Sequence, residues 1–106
     1  MHYDVLVELG LAPSLITALH VSQWGSEVAI ACLYDPDNAR RPYRLMFHAC
    51  DNLHWEVVNP GALRDAEADF IDFAVGVKDG RSVAIIEADI FELVMSYGSY
   101  DLEHDW

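Results

Sequence analysis

The chain has 106 residues, a length that fits one domain, and we expect residues 1–106 to fold around a single core. Hydrophobic residues make up 53% of the sequence and charged residues 23%, which excludes a disordered chain because disorder requires a low apolar content. Six basic residues against eighteen acidic ones give a net charge of −12. This charge repels phosphate backbones and anionic lipid, so we expect neither nucleic acid nor a membrane as a partner.

The sequence predicts a cytoplasmic location. Polar residues, Gly10 and Pro13 interrupt the uncharged segment 9–26, so it is not a transmembrane helix. The first four residues lack the positive charge and the small-residue cleavage site of a secretory signal. In a reducing compartment, we expect Cys32 and Cys50 to remain free thiols.

Alternation of apolar and polar residues predicts the first strands. Residues 15–23 carry apolar side chains on one parity, which is typical of a half-buried strand, whereas residues 27–34 carry them on both, as in a central strand. The sequence Asp-Pro-Asp-Asn at residues 35–38 predicts a turn, because proline fixes φ and the Asp and Asn side chains accept local hydrogen bonds.

Segments 43–49 and 53–57 also alternate, and we predict that they form a hairpin. Parity selects a three-residue loop at residues 50–52, because a two-residue loop would place polar side chains on the apolar face. With the longer loop, Phe47 and Trp55 lie opposite each other in the core.

The second half of the chain continues the β pattern. Residues 59–69 are typical of an irregular crossing or one short helical turn. The Asp79-Gly80 dipeptide predicts a tight hairpin that pairs residues 71–77 with 83–87. Residues 90–97 favour a strand over a helix.

Residues 3–9 fit a short strand or a short helix, and the pattern leaves both open. The predicted fold class is mainly β: an antiparallel meander of about six strands, forming a partly closed barrel or a sandwich, with at most one or two short helical turns.

The predicted hairpin would also bring together residue types that bind metal. His48 and His54 would be cross-strand neighbours on its outer face, and a thiol and a carboxylate would lie close to them. The candidate zinc ligands are His48, His54, Cys50 and Glu56. The spacing matches no standard structural zinc site, and a solvated histidine pair is the favoured interpretation.

No catalytic constellation is present. The sequence contains no phosphate-binding glycine loop and no nucleophile elbow, and neither cysteine has a basic neighbour that would lower its pKa. We therefore favour a non-enzymatic role without a cofactor.

Aromatic and acidic residues at exposed positions are typical of protein interfaces. Trp24 lies in a predicted turn, and the last residues of the chain are rich in acidic side chains. The candidate partner-binding residues are Trp24, Asp101, Glu103 and Trp106.

Two stretches carry a resemblance: Leu45-x-Phe47-x₂-Cys50-x₂-Leu53-x-Trp55, and Asp89-x-Phe91-Glu92-Leu93-x₃-Tyr97-Gly98-Ser99. Together they resemble the small, acidic, β-rich bacterial proteins of largely unassigned function, some of which act as immunity partners of secreted toxins. The resemblance implies a non-enzymatic binding role, in which acidic residues complement a basic toxin surface. It carries no site residue over to this chain.

The leading functional hypothesis is thus a protein-binding module that captures a basic protein through an acidic surface. The alternative is a small-molecule or metal-binding β-barrel, which would require a cavity lined by the aromatic residues Tyr43, Phe47, Trp55, Phe73 and Phe91. A homodimer is compatible with either hypothesis, because an open meander leaves sheet edges that can pair.

Overall fold

The structure is a computed structural model that describes residues 5–106, so residues 3 and 4 of the predicted segment 3–9 lie outside the described residues. The described part begins with one helical turn, α1 (Val5–Glu8). Val5 and Leu6 are buried in the core, whereas Val7 is exposed. Among the two alternatives for this segment, the structure therefore has the helix.

Eight antiparallel strands form one sheet, which confirms the mainly β fold class. Of the predicted strand segment 90–97, residues 91–97 form a strand. The strands are β1 (Ser14–Ser22), β2 (Glu27–Tyr34), β3 (Arg41–His48), β4 (Asp51–Val57), β5 (Ala68–Lys78), β6 (Arg81–Ala88), β7 (Phe91–Tyr97) and β8 (Ser99–Glu103). Their spatial order is β4-β7-β6-β5-β1-β2-β3-β8, and the sheet curls without closing. Short 3₁₀ turns at Gln23–Gly25 and Pro60–Ala62 are the other helical elements among residues 5–106.

The predicted β5–β6 hairpin is present. Lys78 lies opposite Arg81, and the two residues between them have φ values of 53° at Asp79 and 78° at Gly80. A tight turn that follows the right-handed twist of the strands requires positive φ at both positions, and glycine adopts it without strain.

The predicted hairpin between residues 43–49 and 53–57 is wrong. β3 pairs with β2 and β8, whereas β4 pairs with β7. The β3–β8 register, which reaches His48 opposite Ser99, continues across a bend to Asp51 opposite Ser96. Residues 41–57 and 91–103 are thus two bent strands that pair along their length. The chain bends between β3 and β4 without reversing, so these two strands cannot pair with each other.

Aromatic rings fill the space inside the curled sheet. Phe47 lies at its centre, with its ring centroid 5.6 Å from that of Phe73 and 5.5 Å from those of Tyr97 and Tyr100. Phe47 and Phe73 are fully buried. The Cα radius of gyration is 13.3 Å, close to the roughly 13 Å expected of one compact domain of this length.

The prediction that Trp55 is a core residue is also wrong, because 48% of this residue is exposed. Its parity was predicted correctly: Trp55 lies opposite Leu93, which is buried, and its ring stacks on Phe91 at 4.3 Å between centroids. The exposure arises because β4 is an end strand of the sheet and, in the part of the chain that the structure describes, has a neighbouring strand on one side only. Among residues 5–106, no helix is long and apolar enough to cross a membrane.

Candidate partner-binding groove

An apolar groove runs between β1 and β4. Leu19 and Val21 form its wall on β1, Leu53 and Trp55 form its wall on β4, and Leu93 lies between them. This central part has a volume of about 430 Å³. We call the depression and its two extensions, described next, the β1–β4 groove.

The groove extends at both ends. One extension shares Val21 and Leu53 with the central part and reaches the turn at residues 22–26. The other shares Leu19 with it and reaches the loop at residues 65–68. The whole groove therefore follows most of β1 and residues 51–55 of β4, a shape that suits an elongated ligand.

Both walls have a strand edge without a backbone partner among residues 5–106. The last five residues of β1, 18–22, pair with β2 on one side, whereas the β1–β5 pairing is confined to residues 14–16. β4 pairs with β7 on one side only. Backbone N–H and C=O groups of two strands are therefore directed away from the sheet and remain available for hydrogen bonds.

Trp24 lies at one end of the groove, and its side chain is fully exposed to solvent. Three consecutive residues have positive φ: 52° at Gln23, 60° at Trp24 and 95° at Gly25. Positive φ is costly for a residue with a side chain. The turn is anchored by Ser26, whose side chain donates to the Gln23 carbonyl at 2.8 Å and whose carbonyl accepts from the Cys50 N–H at 2.9 Å. A large apolar side chain is thus displayed to solvent on a fixed turn.

Every charged side chain that lines the groove is a carboxylate. They are Asp51, Asp65 and Glu67. Two of the three have a basic neighbour outside the groove: Arg81 lies 3.5 Å from Asp51, and Arg40 lies 4.0 Å from Glu67. These partly exposed pairs are weak, and the groove therefore presents apolar and acidic groups to a ligand.

The other predicted partner-binding residues lie elsewhere. Asp101 and Glu103 are in β8, where their carboxylates contact His48 and Arg44. Trp106 folds back on its own chain: its ring stacks on Tyr34 at 5.9 Å, and its indole N–H donates to the Pro42 carbonyl at 2.6 Å. Tyr34 and Trp24 flank opposite ends of β2. The structure thus separates Trp24 from the other three candidate residues, which lie near the C-terminus.

The predicted zinc ligands are not assembled, because the hairpin that would bring them together is absent. His48 Nδ1 lies 2.9 Å from Glu27 and Nε2 lies 2.8 Å from Asp101. His54 and Glu56 are exposed on β4, and Cys50 is buried. Within residues 5–106, no three His, Cys, Asp or Glu side chains form a group that could hold a metal ion.

The shifted pKa values in this protein arise from burial and from hydrogen bonds within the fold. Hydrogen bonds from His48 to Glu27 and to Asp101 raise the pKa of the imidazole. Burial raises the pKa of Cys32 to about 12 and, together with the charge of Cys32, raises the pKa of Tyr43 above its usual range. Burial also raises the pKa of Cys50. Because a nucleophilic cysteine needs a lowered pKa, neither thiol has the environment of a catalytic residue.

Of the groove residues, the sequence analysis predicted Trp24 as a partner contact, Cys50 as a zinc ligand and Trp55 as the lining of an internal cavity, but it did not predict the groove itself. The alternation in β1 and β4 assigned Val21, Leu53 and Trp55 to the inner face, where apolar residues are usually covered. Their exposure depends on the separation of β1 from β4, which no local pattern encodes.

No protein-family model matches this chain, and no curated protein matches it in sequence. Among solved structures, the chain is similar to an uncharacterized protein from Neisseria gonorrhoeae, with a TM-score of 0.68, 10% identity and 97% of each chain covered. This similarity shows that the fold occurs in an experimentally determined structure. At this identity, it carries no information about function.

Proposed function

We propose that this protein is a non-enzymatic binding module that captures a basic partner protein in the cytoplasm through its acidic surface, in the manner of an immunity protein that inhibits a toxin. The observation that carries the proposal is the β1–β4 groove, which combines an apolar lining with charged side chains that are all carboxylates. Apolar contacts supply affinity, while complementary charge supplies specificity and fast association. The net charge of −12 attracts basic proteins over a longer range.

Trp24 adds a second argument for a protein partner. Tryptophan is enriched among the residues that dominate binding energy at interfaces. Here the ring is fully exposed at the end of the groove, on a backbone whose positive φ values are costly. A partner that covers the ring would compensate for that cost.

The filled interior favours this proposal over a small-molecule or metal-binding barrel. A ligand inside the sheet would need space between the inward-facing aromatic rings. Phe47 instead contacts Phe73, Tyr97 and Tyr100, with centroids 5.5–5.6 Å apart. The β1–β4 groove, in contrast, is open to solvent at the edge of the sheet.

A selection experiment tests the proposal. A random seven-residue peptide library displayed on phage is selected on the immobilised full chain at low salt. We expect the enriched peptides to carry Lys or Arg together with apolar residues, and we expect their binding to weaken as salt is raised.

Two matched variants locate the binding site. Val21→Lys places a positive charge in the groove, and Val77→Lys places the same charge on another strand, at a valine that is also exposed. The enriched peptides should bind the Val77→Lys variant like the wild type and the Val21→Lys variant at least roughly tenfold more weakly. Enrichment of peptides without positive charge, or equal binding to both variants, would overturn the proposal.

A further inference from the structure

We infer that the partner contributes an extended segment that adds as a strand to the edge of β4, with alternating apolar and basic side chains. This inference rests on the proposed function and specifies how the partner is recognised. It follows from three properties of the groove: its backbone edge, its length and the alternation of its side chains.

The backbone edge supplies the first argument. Within residues 5–106, β4 is a terminal strand of the sheet and pairs only with β7, so the N–H and C=O groups of its outer edge have no strand partner in this part of the chain. Strand addition uses such groups as the main source of affinity, and pockets beside the edge select the side chains. The wall formed by Leu19 and Val21 provides that pocket across from β4.

The length of the edge defines the size of the segment. β4 contains seven residues, which at roughly 3.4 Å per residue extend over somewhat more than 20 Å. A paired segment of about six residues would fit along it. One end of this segment would lie near Trp24 and Asp51, and the other near the loop with Asp65 and Glu67.

The side chains of β4 define the pattern of the segment. Leu53 and Trp55 line the groove and Val57 has the same parity, whereas His54 and Glu56 are exposed on the other face. Neighbouring strands present their side chains in register on each face. Apolar side chains of the partner would therefore enter the groove, and the alternate ones would lie beside Glu56, where a basic residue is favoured.

Charge argues for a basic partner and against a second copy of this chain. Pairing of β4 with β4 of another molecule would bring two copies of Asp51 and Glu56 together, in addition to the repulsion between two molecules of charge −12. Like charges opposite each other on paired strands are destabilising. A basic segment turns the same carboxylates into favourable contacts.

The test uses nuclear magnetic resonance on the ¹⁵N-labelled full chain. The probe is a capped six-residue peptide of alternating lysine and valine. Two control peptides have the same sequence with N-methyl groups on one or the other alternate set of residues. A paired strand directs every second N–H toward its neighbour, so strand addition predicts that one control binds at least roughly tenfold more weakly while the other stays within about threefold.

We expect the unmodified peptide to shift the amide signals of residues 51–57 and 18–22 and to slow hydrogen exchange along β4. If both methylated peptides bind as well as the unmodified one at the groove, strand addition is wrong and the proposed function stands. If no peptide binds up to millimolar concentration, or if the shifts lie outside the groove, both proposals are wrong. Concentration-dependent protection of β4 without any peptide would identify a second copy as the occupant and would also overturn the inference.

Discussion

The two end strands of the sheet, β8 and β4, differ in how well the rest of the fold covers their side chains. In β8, acidic side chains alternate with Tyr100 and Leu102, which pack against the core, and the acidic residues contact basic side chains of β3. β4 also carries acidic side chains, Asp51 and Glu56, but there Leu53 is only partly buried and Trp55 is half-exposed. Exposed apolar side chains on an edge strand favour pairing with another chain. The two edges thus differ in how far their apolar side chains are covered by the rest of the fold.

The largest predicted contrast is between aromatic truncations on the two edges. Tyr100→Ala removes a ring that contacts Phe47 at 5.5 Å and Phe73 at 5.6 Å between centroids, and we expect a loss of about 2–4 kcal/mol in the free energy of unfolding. Trp55→Ala removes a half-exposed ring and should cost about 1 kcal/mol. Urea denaturation of the two variants measures both values. A larger loss for Trp55→Ala would show that β4 is as deeply packed as β8.

A second prediction concerns the bend that joins the two edges. A Cβ atom added at Gly98 would lie 2.9 Å from the Cβ of Ala49, and the Gly98 N–H donates to the His48 carbonyl at 2.9 Å. We expect Gly98→Ala to lower the free energy of unfolding by about 1–3 kcal/mol through this overlap.

The double variant Ala49→Gly/Gly98→Ala provides the control for this bend. Glycine at position 49 removes the opposing Cβ and suits the local φ of 54°. We expect most of the lost stability to return in urea denaturation. Failure of the double variant to recover would mean that the overlap with Ala49 is not the cause.

A third prediction compares the contributions to stability of Trp24, at the end of the groove, and Trp106, near the C-terminus. Trp24 is fully exposed at positive φ, so Trp24→Gly should leave the free energy of unfolding unchanged or raise it by up to about 1 kcal/mol. Trp106→Ala removes the stack on Tyr34 and the hydrogen bond to Pro42 and should lower it by about 1 kcal/mol.

The two variants should affect peptide binding in the opposite order to their effects on stability. We expect the lysine–valine peptide to bind the Trp24→Gly variant more weakly than the Trp106→Ala variant, as measured by titration calorimetry. Equal binding to both variants would remove Trp24 from the proposed site and leave it without an explanation.

The smallest expected effect is a pH dependence of the stability that His48 contributes beside β8. Hydrogen bonds to Glu27 and Asp101 raise the pKa of His48 in the folded protein above its ordinary value near 6.5. A raised pKa means that the contribution of His48 to stability is complete below the unfolded pKa and is lost as pH rises through the folded one.

We therefore expect the difference in urea midpoint between the wild type and His48→Gln to shrink as pH increases through this range. As pH increases, hydrogen exchange at β8 should become faster in the wild type relative to His48→Gln, whereas the same comparison at β4 should not change. An unchanged difference across this range would show that His48 does not hold β8 through its charge.

Much of the fold could be predicted from the sequence because the relevant signals are local. The Asp79-Gly80 turn, the alternation of the strands and the irregular segment around Pro60 each depend on a few neighbouring residues. The same alternation assigned Phe47 and Trp55 to the inner side. It failed at the hairpin of residues 43–57, because a bend and a reversal of the chain have similar local sequences.

The candidate site was predicted less well. Trp24 was identified because a large aromatic residue in a turn is unusual. Asp101 and Glu103 were predicted as partner contacts from their charge alone, and the sequence gives no sign that Arg44 and His48 lie beside them. Leu53 and Trp55 were assigned to a covered face, because parity specifies the side of a sheet and not whether another strand covers it.

The sequence by itself determined the acidic charge, the β class, the tight turn at residues 79–80 and the face of most residues in β2, β3, β4 and β7. Only the tertiary structure decided that β4 pairs with β7, that β3 pairs with β8, and that a groove separates β4 from β1. The physical reason is that turn formation and side-chain alternation are set by residues adjacent in the chain. Strand pairing depends on which distant segments meet with complementary surfaces, and the groove exists because the edges of β1 and β4 come close without pairing.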